Sequence, residues 1–131
     1  MISDDQATID AGMAVLDGLM ASLNASEEAS VTRSFNFAYV RFTGVGEVKI
    51  FENPGDYHLS YFRERTEANR WKRSACYGRE VVHVGSDTLH FDTQCSRYHA
   101  DESIIGSYTS HYAVTCINRN LGIQARPSFA L

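Results

Sequence analysis

Proline occurs only twice in 131 residues, tryptophan once and cysteine three times. So little proline excludes a polyproline or collagen-like chain, and hydrophobic residues at 44% exclude a disordered one. Long apolar runs are missing too: nothing approaches the roughly 18 consecutive apolar residues of a membrane-spanning helix. Clustered cations are equally scarce. The twelve Lys and Arg are scattered except at RWKR, Arg70 to Arg73, and the formal charge is -4, whereas affinity for nucleic acid rests on concentrated positive charge. Neither nucleic acid nor membrane is therefore an expected partner. The opening residues MISDDQ are acidic where a secretory leader is basic, so the expected location is cytoplasmic.

Motifs for metal and nucleophilic chemistry are lacking as well. Cys76, Cys95 and Cys116 are odd in number and have no CxxC or Cys/His spacing, so they read as buried free thiols on strands. The histidines, at 58, 83, 90, 99 and 111, form no HExxH and no facial triad, and there is neither a glycine-rich phosphate loop nor a GxSxG elbow. No metal and no organic cofactor is expected.

What is present is one domain's worth of patterned helix and strand. Ser3, with Gln6 three positions on, signals a helix start, and Ile9, Met13, Leu16, Met20 and Leu23 then recur on one helical face. Asn24 to Ser26 interrupts it, and SEEASVTRSF reads as a shorter second helix with its acids at the favourable end. ENPGDYHLSYF predicts a third, with Asn53 as cap, Pro54 in the first turn, and Tyr57, Tyr61 and Phe62 inward. Strand patterns cover Phe37 to Phe42, Glu47 to Phe51, and three long runs from about Trp71 onward. Helices ahead of consecutive strands give an α+β chain with an antiparallel sheet.

Two turns fix which side chains share a face, because strand side chains alternate with period two. A turn at Asp101-Glu102 sets Cys95 opposite Tyr108 and Phe91 opposite Tyr112. A turn at Asn118-Arg119 sets Val114 opposite Ile123, Tyr112 opposite Ala125 and Tyr108 opposite Phe129. The apolar face then holds Leu89, Phe91, Cys95, Tyr108, Tyr112, Val114, Ile123, Ala125 and Phe129, with Arg97 near its end. The opposite face holds His90, Asp92, His111, Gln124 and Arg126, with Asp92, His111 and Arg126 abreast. Val81, Val82 and Val84 break the alternation of the preceding strand and suggest a bulge, so its register stays open.

The order of elements, the segment LNASEEA, the stretch RYHADESIIGSY and the final GIQARPSFA resemble the NTF2-like superfamily, in particular its bacterial SnoaL-like members. The resemblance covers nearly the whole chain and implies a single domain over residues 1–131. It implies a cone in which three helices of the N-terminal half pack on a strongly curved antiparallel or mixed sheet, and commonly a homodimer through the outer sheet face. Members of that superfamily include ketosteroid isomerases, polyketide cyclases, dehydratases and epoxide hydrolases beside noncatalytic proteins. The chain departs from the isomerase pattern: no Tyr lies on its first helix, and no carboxylate falls on the apolar face of its last three strands.

Two functions follow as expectations. One is a cofactor-independent isomerase, cyclase, dehydratase or hydrolase acting on a small apolar carbonyl-type molecule, with Tyr39, Tyr108 and Tyr112 as donors and His58 or Asp56 as acceptor. The other is a noncatalytic ligand-binding or dimeric interaction module. Either uses a pocket bounded by Leu16, Met20, Tyr39, Phe62, Trp71, Phe91, Arg97, Tyr108, Tyr112 and Phe129. His90, Asp92, His111, Gln124 and Arg126 are expected at the homodimer contact, where cross-strand charges fix orientation.

Overall fold

The computed structural model describes residues 2–42 and 47–130; the side chains of 2–5, 61, 62, 65, 129 and 130 lie outside the described set. The side chains of Ser3, expected as a cap, of Tyr61, expected to face inward, and of Phe62 and Phe129, expected in the pocket, therefore lie outside the described set. Helix α1 is Ile2–Asn24, with Leu16, Leu19 and Leu23 buried along one face. Ser26, at φ 56°, turns the chain into α2, Glu28–Arg33, which buries Val31. Strands β1, Phe35–Phe42, and β2, Val48–Phe51, follow. A 3-10 turn over Pro54–Asp56 then leads to α3, Leu59–Glu67. The remainder is a meander of β3, Arg73–Val84, β4, Thr88–Tyr98, β5, Ile104–Ile117, and β6, Asn120–Ala130.

All six strands form one sheet in the order β2-β1-β6-β5-β4-β3, antiparallel except where β1 runs parallel to β6. The helices cover one face, here called inner. Leu16, Leu19, Leu23 and Val31 meet Phe35, Tyr39, Leu89, Phe91, Tyr112, Val114 and Ile123 there in a single core. Gly12 permits the closest approach of α1 to β4, since a Cβ on it would lie 2.8 Å from the Phe91 ring.

The expected three-helix, strongly curved cone is corrected. The main helix packing comes from two helices, α1 on β3 and β6 and α2 on β1, while α3 makes no comparable contact with any one described element. The cause is local: Asn53 caps the 3-10 turn instead of an α-helix, so α3 starts only at Leu59 and has nine residues. The sheet is open, with β2 and β3 as its two edges, instead of wrapping strongly around a cavity.

The cysteine expectation is also corrected. Cys76 and Cys95 face each other across β3 and β4 and form a disulfide, leaving Cys116 as the free thiol, exposed and not buried. A residue on a strand of open register had no assigned partner in the sequence, although Cys95 itself was placed on the inner face.

The β4–β5 register agrees with the alternation argument, pairing Phe91 with Tyr112 and Cys95 with Tyr108. The β5–β6 turn lies at Asn118 and Arg119, both at positive φ (50° and 66°), as a two-residue hairpin of the right-twisted kind requires. Val114 pairs with Ile123, but Ala113 then pairs with Ala125, so Gln124 is an extra residue on β6. That bulge turns over the face of every later β6 residue. Arg126 consequently belongs to the inner face, not to the outer face where uniform alternation put it.

Candidate functional site

Four adjacent strands contribute to one polar stretch of the inner face. On β1, alternation from Tyr39 brings Arg41 to the same side, and Arg41 is the register partner of Arg126 on β6. Parallel neighbours of this kind stand about 4.8 Å apart. The β5–β6 ladder runs from Ser110↔Ser128 to Ala113↔Ala125, which sets Arg126 beside Tyr112. Its guanidinium carbon lies 5.2 Å from the Tyr112 ring centroid. On β4, Arg97 stands 5.0 Å from the Tyr108 ring centroid. A guanidinium over a ring face is attracted by the ring quadrupole, and most strongly where water is excluded.

Burial grades across this row. Arg126 is only 6% exposed and Tyr112 2%, whereas Arg41, Arg97 and Tyr108 are half-buried. The row is therefore closed at its centre, on β6 and β5, and partly accessible on the flanking strands β1 and β4. Tyr39 is buried and stacked at 4.0 Å on Phe35, and Tyr57 packs edge-on against Phe35 and Phe51. Burial pushes the phenols of Tyr39 and Tyr112 above their ordinary value, against the opposite pull of Arg126. Both hydroxyls thus stay protonated at neutral pH and are available as donors.

The charges are unbalanced. Burial, then the neighbouring Arg126, pushes Arg41 below the usual guanidinium value, with Arg97 acting in the same sense. Burial also works against the charge on Arg126, but Tyr112, Tyr108, Tyr39 and Tyr57 favour it, and the net direction is upward. The ion pairs among the described residues are Arg73–Glu102, Arg79–Asp17 and His111–Asp92, so Arg41, Arg97 and Arg126 have no carboxylate partner there. Each of these three also has a buried Nε without a hydrogen-bond partner.

Other expected pocket residues are dispersed around this row. Leu16 and Phe91 are buried core, and Met20 is half-buried on α1. Trp71 donates its indole N–H to Ser74 Oγ at 2.8 Å, which pins it beside β3. His58 is exposed at the start of α3, and Asp56 is exposed and spent on the backbone N–H of Asn53 at 3.0 Å. Arg41 was missed, although period-two spacing from Tyr39 was the signal that would have found it; Tyr57, expected to face inward, packs on Phe35 and Phe51 but was not counted in the pocket.

The outer face carries a separate chain of polar groups. Asp92 Oδ1 lies 2.7 Å from His111 Nδ1, and His111 Nε2 lies 2.8 Å from His90 Nδ1, with the His83 ring beyond it at 5.6 Å from His90. Burial, followed by His111 and His83, holds His90 below its ordinary value. Gln124, at the bulge, is half-buried. No cluster of metal-ligating groups occurs among the described residues, and no described helix is long and apolar enough to cross a membrane.

Solved structures place this architecture in a class. A cystatin-like protein of unknown function from Nostoc punctiforme PCC 73102 matches with a TM-score of 0.74 at 12% identity, over 91% of this chain and 87% of that one. An NTF-2 like protein of unknown function from Shewanella oneidensis MR-1 matches at 0.69 and 11%, over 98% and 99%. A ketosteroid isomerase-like protein from Erwinia carotovora atroseptica matches at 0.67 and 10%, over 91% and 92%. The chain thus shares the fold of these NTF2-like and cystatin-like proteins, and at these identities the likeness is one of fold alone. No family model and no curated protein matches the sequence.

Proposed function

We propose that this protein binds a small, largely apolar molecule at the arginine–tyrosine row of its inner sheet face, and that it does so without catalysing a reaction on it. The observation that carries this reading is the make-up of the row: its polar groups are arginines and tyrosines, which donate hydrogen bonds but do not take protons at neutral pH. Proton abstraction beside a carbonyl needs a base within hydrogen-bond reach. The hydrogen-bonded acid and imidazole groups, Asp92, His111 and His90, lie on the other side of the sheet. An isomerase, cyclase, dehydratase or hydrolase therefore has donors here and no acceptor among the described residues.

A thermal-shift screen of small aromatic ketones, acids and amides tests this, since a ligand that binds only the folded state raises apparent stability. The expected result is a dose-dependent rise with at least one aromatic compound, reduced when Tyr108 is replaced by Ala, and no consumption of that compound. Turnover of a hit would contradict the noncatalytic reading.

We also infer a homodimer through the outer face. Phe42, Val48 and Ile50 are exposed on that face at the β1–β2 edge, while the polar Asp92–His111–His90 chain lies on β4 and β5. Exposed apolar groups rimmed by polar ones favour a protein contact. Phe42→Glu should give a monomer in sedimentation if this is correct, and a monomeric wild-type chain would refute it.

A further inference from the structure

The three unpaired arginines specify the chemistry of the occupant more narrowly. We propose that the inner-face row is an oxyanion receptor, in which Arg41, Arg97 and Arg126 hold the carboxylate of a small aromatic or unsaturated acid whose apolar body lies against Tyr108 and Tyr112. This rests on the reading of the row as a ligand site and names its ligand class.

Three observations converge on it. Arg41 and Arg126 are register partners on adjacent parallel strands of one face, so two guanidinium groups are held side by side where a single residue slip in β6 would have separated them. Like charges so placed repel, and a polar group taken out of water without a partner is costly; an anion between them relieves both. The second observation is that Arg126 is almost completely buried, yet neither it nor Arg41 nor Arg97 meets a carboxylate among the described residues, and each keeps a buried Nε–H with no acceptor. Arg79 shows the ordinary alternative on the same side of the sheet: it has a similarly buried Nε but ends on Asp17 of α1. The third is the gradient of exposure. Arg41, Arg97 and Tyr108 are half-buried while Tyr112 and Arg126, on the strands between Arg41 and Arg97, are closed off, so an anion reaches the buried guanidinium past half-exposed ones. Lys49, the partner of Arg41 on β2, continues the row outward, but there it shares a surface groove with Asp56, which leaves the unbalanced charge on the arginines.

A carboxylate fits better than a free inorganic oxyanion. Planar guanidinium groups pair a planar carboxylate through two parallel hydrogen bonds. Two cationic side chains here are already spread over tyrosine rings, which offers stacking area that only an organic body can use.

Calorimetric titration with 2-naphthoate, its neutral isostere 2-naphthamide, and inorganic phosphate tests the proposal on the full chain. Naphthoate should bind, naphthamide at least about tenfold more weakly, and phosphate should not displace naphthoate at equal concentration, because a charge-assisted pair is worth about a factor of ten or more. Arg97→Met, at a half-exposed position that tolerates the change, should weaken naphthoate about tenfold and leave naphthamide unchanged. Arg126→Met should abolish naphthoate binding, with circular dichroism reporting whether that variant is folded; Arg97→Met decides the matter if it is not. Equal affinity for acid and amide, or naphthoate affinity unmoved in Arg97→Met, would overturn the oxyanion assignment while leaving a ligand site in place. Displacement by phosphate at equal concentration would overturn the organic acid. Binding of none of the three would overturn both the receptor and the ligand-site reading beneath it.

Discussion

At the scale of single residues, the fold depends on a few positions where size is fixed by contact. Gly12 is one: a Cβ there would meet the Phe91 ring at 2.8 Å and Leu89 at 2.9 Å, both fully buried. Gly12→Val should therefore destabilise the protein by about 1–3 kcal/mol in urea unfolding, the usual effect of overpacking a filled core. Gly18 sits in the same helix with nothing within 4 Å of its missing Cβ. Gly18→Ala should instead stabilise by up to about 1 kcal/mol through helix propensity. Equal effects from the two substitutions would contradict the assigned helix face.

His90 sets a pH dependence of known sign. Its folded value is held below the ordinary 6.5 by burial first, then by His111 on β5 and His83 on β3, while Asp92 is engaged with His111. The unfolded chain thus binds more protons just below that pH, so this contribution is complete above about 6.5 and is lost as pH falls toward the folded value. The melting temperature should drop between pH 7 and pH 5, and His90→Gln should flatten that drop. An unchanged slope in the variant would remove His90 as its source.

At the scale of elements, the hairpin residues were legible and the bulges were not. A turn read at Asp101-Glu102 and the alternation of β4 and β5 placed Phe91, Cys95, Tyr108 and Tyr112 in their observed pairs, because the β4–β5 ladder runs without interruption through these residues, and the turn at Asn118-Arg119 placed Val114 opposite Ile123. The extra residue Gln124 carries no turn signal of its own, and one unmatched residue moves Arg126 from the outer face to the inner one. The same limit hid the Cys76–Cys95 bridge, since β3 has register shifts between Cys76 and Gly78 and between Val81 and His83. The third helix was misplaced for a different reason: a proline after a capping Asn suits a 3-10 turn as well as an α-helix, and here the turn wins. Replacing both Cys76 and Cys95 with Ala should cost on the order of 2–4 kcal/mol of stability. Chemical reduction should lower the melting temperature of the wild type and leave the double variant unaffected; a wild type indifferent to reductant would argue that the bridge does not form.

At the scale of the whole molecule, an open six-stranded sheet separates two kinds of chemistry. Its inner face, under the helices, carries cationic and phenolic donors, of which Arg79 alone is seen paired with an acid, Asp17 of α1, among the described residues, and its outer face carries Asp92, His111 and His90 in hydrogen-bonded sequence. The division explains why the tyrosines, expected as partners of a base, instead surround arginines. It also moves the functional question from proton transfer to recognition of charge.

The most direct measurement is of the arginine Nε–H groups themselves, followed by two-dimensional nitrogen–proton resonance during titration with 2-naphthoate. Buried Nε–H protons without partners should exchange slowly enough to be seen. The account predicts that the signals of Arg41, Arg97 and Arg126 shift together and saturate with the calorimetric affinity, while that of Arg79, already paired with Asp17, stays in place. Saturable binding of naphthoate that leaves all three signals unmoved would contradict it.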